Sequence, residues 1–188
     1  MDKDSFIKLG REEIYNGKIV KLVKDKVKLP NNKETYFELV QHNGAAAIVP
    51  VDKRGKIILV EQFRNAANGL TLEIPAGTLE KDEDPLVCAK RELEEETGFT
   101  SENLTFLIKF YTSIGFCDEV IHVYIANDLQ ESQQNLDEDE FVNLKTYSLE
   151  EITKMIFDGT IVDSKTISAI LAYKNYINEK NVIKIPSL

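Results

Sequence analysis

The sequence predicts an α+β fold, in which a mixed β-sheet lies between helices and a small β lobe precedes it. The chain has 188 residues and is 43% hydrophobic, which is enough for a domain with a real core. Its segments follow the order strand-rich, helix, strand-rich, helix, helix, which differs from the regular strand–helix alternation of parallel sheets. We therefore expect a β-hairpin lobe over 1–43, as a candidate dimer element, and a main domain over 44–188.

The first elements are predicted to be two β-hairpins. Residues 17–29 (GKIVKLVKDKVKL) partly alternate apolar and basic residues, the turn signal PNNK follows, and TYFELVQH completes the first hairpin. Residues 45–50 and 56–63 flank the turn sequence DKRG. They predict a second hairpin with a buried face.

The helices are predicted from their end signals. Asp84 can cap free N–H groups, Pro85 suits the first helical position, and Gly98 suits the left-handed residue that ends a helix. The sequence SLEE at 148–151 is a capping box for a second helix that reaches about residue 157. A last helix is expected over 163–178, strands over 105–113 and 119–126, and an acidic loop over 130–140.

Composition excludes several classes of protein. The net charge of −9 argues against a nucleic-acid-binding protein, but it is compatible with a small phosphate-bearing substrate that is bound through cations. Cys88 and Cys117 are far apart and form no CxxC motif, so neither structural zinc nor a disulfide framework is expected. The chain lacks a signal-peptide pattern and a long apolar run. We expect a cytoplasmic protein without a membrane partner.

Three glutamates share one side of the first predicted helix. At 100° per residue, Glu92, Glu95 and Glu96 fall within an arc of roughly 100° beside its apolar stripe, whereas Glu94 points elsewhere. Clustered carboxylates suit Mg²⁺ or Mn²⁺. The other interpretation is a solvated acidic face, which is the usual role of a charge run.

The segment around these glutamates resembles a complete Nudix box. Residues 77–99 read GTLEKDEDPLVCAKRELEEETGF, with each specified Gly, Glu, Arg-Glu, Glu-Glu and apolar position filled. The resemblance implies a Nudix hydrolase with an α/β/α sandwich, which uses Mg²⁺ or Mn²⁺ to cleave a nucleoside diphosphate derivative. It also implies the site residues: the metal ligands are Glu92, Glu95, Glu96 and the carbonyl of Ala76, and Arg91 and Glu83 support them.

Flanking segments resemble the ADP-ribose pyrophosphatase branch of the family. They are EQFR at 61–64, EIPAG at 73–77, FYTSIGFCDE at 110–119, DEDEFV at 137–142 and GTIVDSKTISAI at 159–170. The resemblance implies hydrolysis of ADP-ribose to AMP and ribose 5-phosphate. Ile114 stands where this branch usually has a proline, so other nucleoside diphosphate sugars and dinucleotides stay open. A nucleotide sensor without turnover and an acidic interaction module are the alternatives from other classes.

The resemblance also assigns substrate-binding and catalytic residues. Arg64 is expected to contact the substrate phosphates, and Glu73 to bind metal or ribose, with a pairing role in the sheet as its alternative. Gly115 and Glu119 are expected to line the substrate pocket. Arg91 and Glu96 count among the catalytic residues, and the acidic loop supplies a general base, with Glu140 the first candidate and Glu138 the second. A homodimer is implied, with the N-terminal lobe in its interface.

Overall fold

The computed structural model describes residues 5–136 and 141–183, which form two compact units. The first unit contains the residues up to Gly44 together with Tyr111–Val120, and the second contains Ala45–Phe110 and the residues from Ile121 onward. The two candidate bases, Glu138 and Glu140, lie outside the described residues.

The first unit is built on a three-stranded antiparallel sheet. Its strands are β1 (Ile7–Asn16), β2 (Lys21–Lys28) and β3 (Glu34–Gln41), in the order β1-β2-β3. The β2–β3 pair confirms the first predicted hairpin. Segment 111–120 joins this unit through β3, where the N–H of Val40 donates to the carbonyl of Phe116 at 2.7 Å.

The second unit contains most of the strands. They are β4 (Ala45–Pro50), β5 (Ile57–Arg64), β6 (Gly69–Glu73), β7 (Ala76–Thr78), β8 (Phe99–Thr100), β9 (Asn103–Tyr111), β10 (Val120–Asn127), β11 (Gln130–Glu131) and β12 (Val142–Tyr147). One sheet has the order β7-β4-β10-β9, another has the order β12-β5-β6, and β11 pairs with β8. Because β4 is parallel to β10 and antiparallel to β7, the larger sheet is mixed, as predicted.

The second predicted hairpin is wrong. Strands β4 and β5 both form, but they belong to different sheets; the bridge between Val51 and Ile57 and the hydrogen bond from the N–H of Asp52 to the carbonyl of Lys56, at 2.8 Å, join the chain only at the turn. All six residues of β4 are buried, so its hydrophobic pattern carries no information about which strand lies beside it. The intervening turn is held by Asp52, whose Oδ1 accepts from the N–H groups of Arg54 and Lys56 at 2.8 Å each.

The helices are α1 (Pro85–Thr97), α2 (Leu149–Phe157) and α3 (Ser164–Ile183). At the start of α1, Asp84 accepts from the N–H of Leu86 at 2.8 Å, and at its end Gly98 has a φ of 68°. The reciprocal capping box of Ser148 and Glu151 opens α2. The three predicted helices are therefore confirmed, and no helix among the described residues is long and apolar enough to cross a membrane.

Strand β4 lies between two hydrophobic clusters of the second unit. Ala45, Ala47 and Val49 belong to a cluster that includes residues of α2 and α3, whereas Ala46 and Ile48 belong to a cluster that includes residues of α1. Alternate residues of a strand point to opposite faces, so helices cover both sides of this sheet. This arrangement fixes α1, the helix that bears the glutamates, against the sheet.

Candidate active site

One guanidinium holds three carboxylates of the predicted box. Arg91 binds Glu83 through Nε and Nη2, at 3.0 and 3.1 Å. Its Nη1 donates to Glu92 Oε1 at 2.6 Å and to Glu95 Oε2 at 2.9 Å. The hydrogen bonds to Glu83, followed by the charge of Glu92 and the hydrogen bonds to Glu95 and Glu92, raise the pKa of Arg91 despite its partial burial. The structure thus brings four of the predicted residues into one cluster.

Glu96 contacts the segment that precedes the box. Its side chain is buried, and its Oε2 accepts a hydrogen bond from the backbone N–H of Ala76 at 2.9 Å. Glu94 differs from its neighbours, because its Oε1 accepts from the hydroxyl of Ser132. The structure therefore separates Glu94 from the other glutamates, as the helical spacing indicates.

Gly77 is required by a close approach to Glu92. A Cβ atom at this position would lie 1.8 Å from Glu92 Oε1 and 1.9 Å from the carboxyl carbon. Any larger residue would push the carboxylate away from its place beside Arg91. The glycine that opens the box therefore makes room for one of its glutamates.

The carboxylates fit a hard cation by their chemistry, although they are not gathered around one point. Within the described part of the chain, no three His, Cys, Asp or Glu side chains form a metal-holding group. Glu92 and Glu95 instead face the guanidinium of Arg91, and Glu96 binds the N–H of Ala76. The guanidinium of Arg91 thus contacts two of the predicted metal ligands, Glu92 and Glu95. The atoms that these glutamates offer to a metal are carboxylate oxygens, which Mg²⁺ prefers.

Arg64, the last residue of β5, and Glu73, the last residue of β6, form an ion pair in which the carboxylate is buried. Arg64 donates through Nε and Nη2 to the two oxygens of Glu73, both at 2.8 Å. Glu73 is 2% exposed, and it also accepts from Thr71 Oγ1 at 2.6 Å and from Lys165 Nζ. Burial alone would raise the pKa of Glu73, but the hydrogen bonds from Arg64 and the charge of Lys165 outweigh it and lower this pKa to about 2.

The start of α3 contributes residues that the sequence analysis did not single out. Lys165 pairs with Glu73 and, at 3.1 Å, with Asp163. Thr166 donates its hydroxyl to Asp163 Oδ2 at 2.6 Å and accepts from the N–H of Ile74 at 2.9 Å. The signal in the sequence that points to these residues is the polar run DSKT at 163–166, at the start of a helix.

Gly115 and Glu119 belong to the first unit. The turn that contains Gly115 closes through the carbonyl of Ser113, which accepts from the N–H groups of Phe116 and Cys117 at 3.0 and 2.9 Å. Glu119 accepts from the hydroxyl of Thr112 at 2.8 Å, and its other oxygen lies 3.3 Å from His42 Nδ1. The turn thus forms with Ile114 in the place of the expected proline.

Comparison with known proteins identifies the family. The family model of the NUDIX domain matches residues 41–169, and this range includes the whole box. The chain belongs to the Nudix family. Members of this family generally require a divalent metal ion. The predicted family and enzyme class, a Nudix pyrophosphohydrolase, are therefore confirmed.

Two bacterial relatives of this Nudix protein are close in sequence. It is 46% identical over 164 residues to "ADP-ribose pyrophosphatase" of Bacillus subtilis (strain 168), which covers 86% of this chain and 89% of the relative. It is 48% identical over 161 residues to "Methanol dehydrogenase activator" of Bacillus methanolicus, with 85% and 87% coverage. A crystal structure of an ADP compounds hydrolase matches with a TM-score of 0.84 at 21% identity, over 94% of this chain and 96% of that one, which confirms the α+β fold.

Proposed function

We propose that this chain hydrolyses the diphosphate linkage of a nucleoside diphosphate derivative, with ADP-ribose as substrate and AMP and ribose 5-phosphate as products. The observation that carries the proposal is the Arg91-centred carboxylate cluster beside the Ala76–Glu96 hydrogen bond. The sequence similarity to the B. subtilis ADP-ribose pyrophosphatase supports the choice of substrate. Water is the second reactant, so a P–O bond breaks and each product keeps one phosphate.

The proposed ligands of Mg²⁺, or of Mn²⁺, are Glu92, Glu95, Glu96 and the carbonyl of Ala76. The bound metal supplies charge neutralisation at the diphosphate and lowers the pKa of water. Arg91 orients Glu92 and Glu95 and limits the repulsion between them, because one guanidinium contacts both. Glu96 and Arg91 are therefore the box residues whose loss we expect to reduce turnover most directly.

Arg64 is the proposed contact for the substrate phosphates. Its Nε and Nη2 are fixed by Glu73, whereas Nη1 has no partner within residues 5–136 and 141–183, and 44% of the side chain is exposed. A guanidinium that is fixed along one edge presents its remaining N–H groups in a preset direction. Glu73 is proposed to hold Arg64, and Gly115 and Glu119 are proposed pocket residues from the resemblance.

The acidic loop is proposed to supply the general base, with Glu140 as first candidate and Glu138 as second. Each carries a carboxylate that can take a proton from water. The test is the pH–rate profile of Glu140→Gln, with Glu138→Gln as the matched variant. Loss of the acidic limb, where the rate falls as the base becomes protonated, identifies the base in one variant, and profiles that match the wild type in both exclude the pair.

A homodimer is proposed through the first unit. Its β1 strand is exposed along its whole length, and Ile7, Leu9, Ile14 and Tyr15 are each 45–58% exposed. An exposed apolar set of this kind is typical of a protein interface. Sedimentation should give a dimer that Ile14→Lys weakens. We also propose a cytoplasmic location, because the chain's two cysteines are free thiols.

The decisive experiment is a substrate panel with a metal titration. ADP-ribose, other nucleoside diphosphate sugars, dinucleotides and inorganic diphosphate are compared by kcat/KM with Mg²⁺ and with Mn²⁺. If another diphosphate gives the highest kcat/KM, that compound replaces ADP-ribose as the proposed substrate. Binding without phosphate release favours the nucleotide-sensor alternative, and no metal dependence favours the acidic interaction module.

A second candidate function follows from the 48% identical relative, whose name describes an activator of methanol dehydrogenase. Under this candidate, the chain raises the rate of a partner alcohol dehydrogenase. The test measures that dehydrogenase's turnover with wild-type chain and with Glu96→Gln. A rate increase that Glu96→Gln abolishes joins the activation to hydrolysis, and an unchanged rate removes this candidate.

A further inference from the structure

Glu73 has two cationic partners, although one would complete a bidentate ion pair. Arg64 occupies both of its oxygens, and Lys165 adds a second positive charge at Oε2. Thr71 adds a fourth donor. Because the carboxylate is 2% exposed, these donors replace water completely.

The location of Lys165 is unfavourable for a residue that serves stability alone. It is the second residue of α3, where the positive end of the helix dipole disfavours a cation, and its side chain is 13% exposed. Two carboxylates offset this cost, Glu73 and Asp163. Asp163 also caps α3 by accepting from the N–H of Thr166 at 2.9 Å, so it does not depend on Lys165 for a partner.

The charges of the ion pairs around Glu73 balance only when Lys165 is present, and the negative charge of Glu96 also acts on Arg64. Arg64 and Lys165 carry two positive charges, and Glu73 and Asp163 carry two negative charges. Without Lys165 the cluster has a net charge of −1. That charge would lie beside the guanidinium to which we assign the substrate phosphates, and it would repel a diphosphate.

We propose that Lys165 is a positioning residue for substrate binding, which pairs with Glu73 so that Arg64 keeps its positive field and its orientation for an anionic substrate. This inference rests on the proposed diphosphate hydrolase activity. Lys165 acts through Glu73 and Arg64. It is therefore distinct from the box residues, whose substitution should reduce kcat.

The test compares Lys165→Met with Lys174→Met, an exposed lysine of the same helix. For Lys165→Met we expect KM for the best diphosphate of the panel to rise about tenfold, with a much smaller change in kcat. The rise should shrink in about 0.5 M NaCl, because salt screens the uncompensated charge. Lys165→Arg should restore KM, and Lys174→Met should match the wild type.

Several outcomes would overturn the proposal. An unchanged KM in folded Lys165→Met does so. An equal rise in KM in Lys165→Met and Lys174→Met does so as well. A fall in kcat and melting temperature without a KM change assigns Lys165 to structure. If Lys165→Met does not fold, Lys165→Gln is tested by the same criteria, and failure of both to fold also assigns the residue to stability. A wild type that cleaves no diphosphate overturns the proposed function itself.

Discussion

The backbone N–H of Ala76 donates to the side chain of Glu96 at 2.9 Å, although 20 residues separate the two in the chain. Both ends of this bond are proposed metal ligands, one through its carbonyl and the other through its carboxylate. The bond joins β7 to α1, so the segment before the box and the helix within it are held together.

Glu96→Gln should lower kcat by roughly a hundredfold or more, because a neutral amide cannot supply the negative charge of a ligand. The amide oxygen can still accept from Ala76, so the fold should persist. The measurement is kcat under saturating metal, together with a thermal melt. Glu94→Gln is the matched control, since Glu94 binds Ser132 instead, and it should keep wild-type activity. A fully active Glu96→Gln would remove Glu96 from the proposed ligands.

Gly77→Ala should reduce kcat by about 10- to 100-fold, because its Cβ would overlap the carboxylate of Glu92, and displacement of an active-site group by about 1 Å has an effect of this order. Gly69→Ala is the control, since its nearest contact would be an ordinary 3.8 Å from a carbonyl oxygen. Both variants are compared by steady-state kinetics. Equal activity in the two would show that Glu92 can move without consequence.

Asp84→Ala should lower the free energy of unfolding by about 1 kcal/mol, because it removes the side-chain cap of α1. The measurement is urea unfolding at neutral pH. Lys81→Ala, in the exposed loop just before the helix, should unfold at the wild-type midpoint. A smaller effect for Asp84→Ala than for Lys81→Ala would mean that packing against the sheet alone fixes the start of α1.

The ion pairs of Glu73 should make stability depend on pH in the acid range. Its folded pKa, about 2, lies below its ordinary value of 4.5. The stabilisation is therefore fully present above pH 4.5 and is lost as the pH falls through about 2. At about 1.4 kcal/mol per pKa unit, it amounts to about 3 kcal/mol at neutral pH.

The check compares wild type with Glu73→Gln by urea unfolding at pH 7 and at pH 3. The free energy of unfolding should differ more between the two proteins at pH 7 than at pH 3. Other titrating carboxylates, such as Asp25, are present in both proteins, so the difference in their free energies of unfolding reports Glu73 alone. A difference that is the same at both pH values would show that Glu73 titrates alike in the folded and unfolded chains.

The sequence predicted best what local chemistry decides. Asp84, Pro85 and Gly98 mark the ends of α1 because a cap and a left-handed stop involve only neighbouring residues. The capping box of α2 was predictable for the same reason. The spacing of Glu92, Glu95 and Glu96 on one turn likewise follows from helical geometry alone.

Strand partners were less predictable. The prediction joined β4 and β5 because a turn separates them, yet each pairs with strands that lie elsewhere in the sequence. It also omitted β1, because every residue of that strand is exposed and no buried face marks it. Pairing depends on the contacts of the assembled sheet, which a hydrophobic pattern does not encode.

Lys165 shows the same limit within the site. Its contact with Glu73 spans 92 residues, and both residues lie in segments that the sequence analysis had noticed. Sequence spacing predicts neighbours within one helix or strand. It does not predict that the start of α3 supplies a cation to the end of β6.

Strand β4 contributes Ala45, Ala47 and Val49 to one hydrophobic cluster and Ala46 and Ile48 to the other. The helix of the box and the two later helices thus share a single strand as their common support. If the helices on either face of β4 moved away, buried apolar residues of this strand would be exposed to water. Local opening is therefore expected to be confined to loops and ends, and slow hydrogen exchange in α1 should report the cooperative unfolding of the whole second unit.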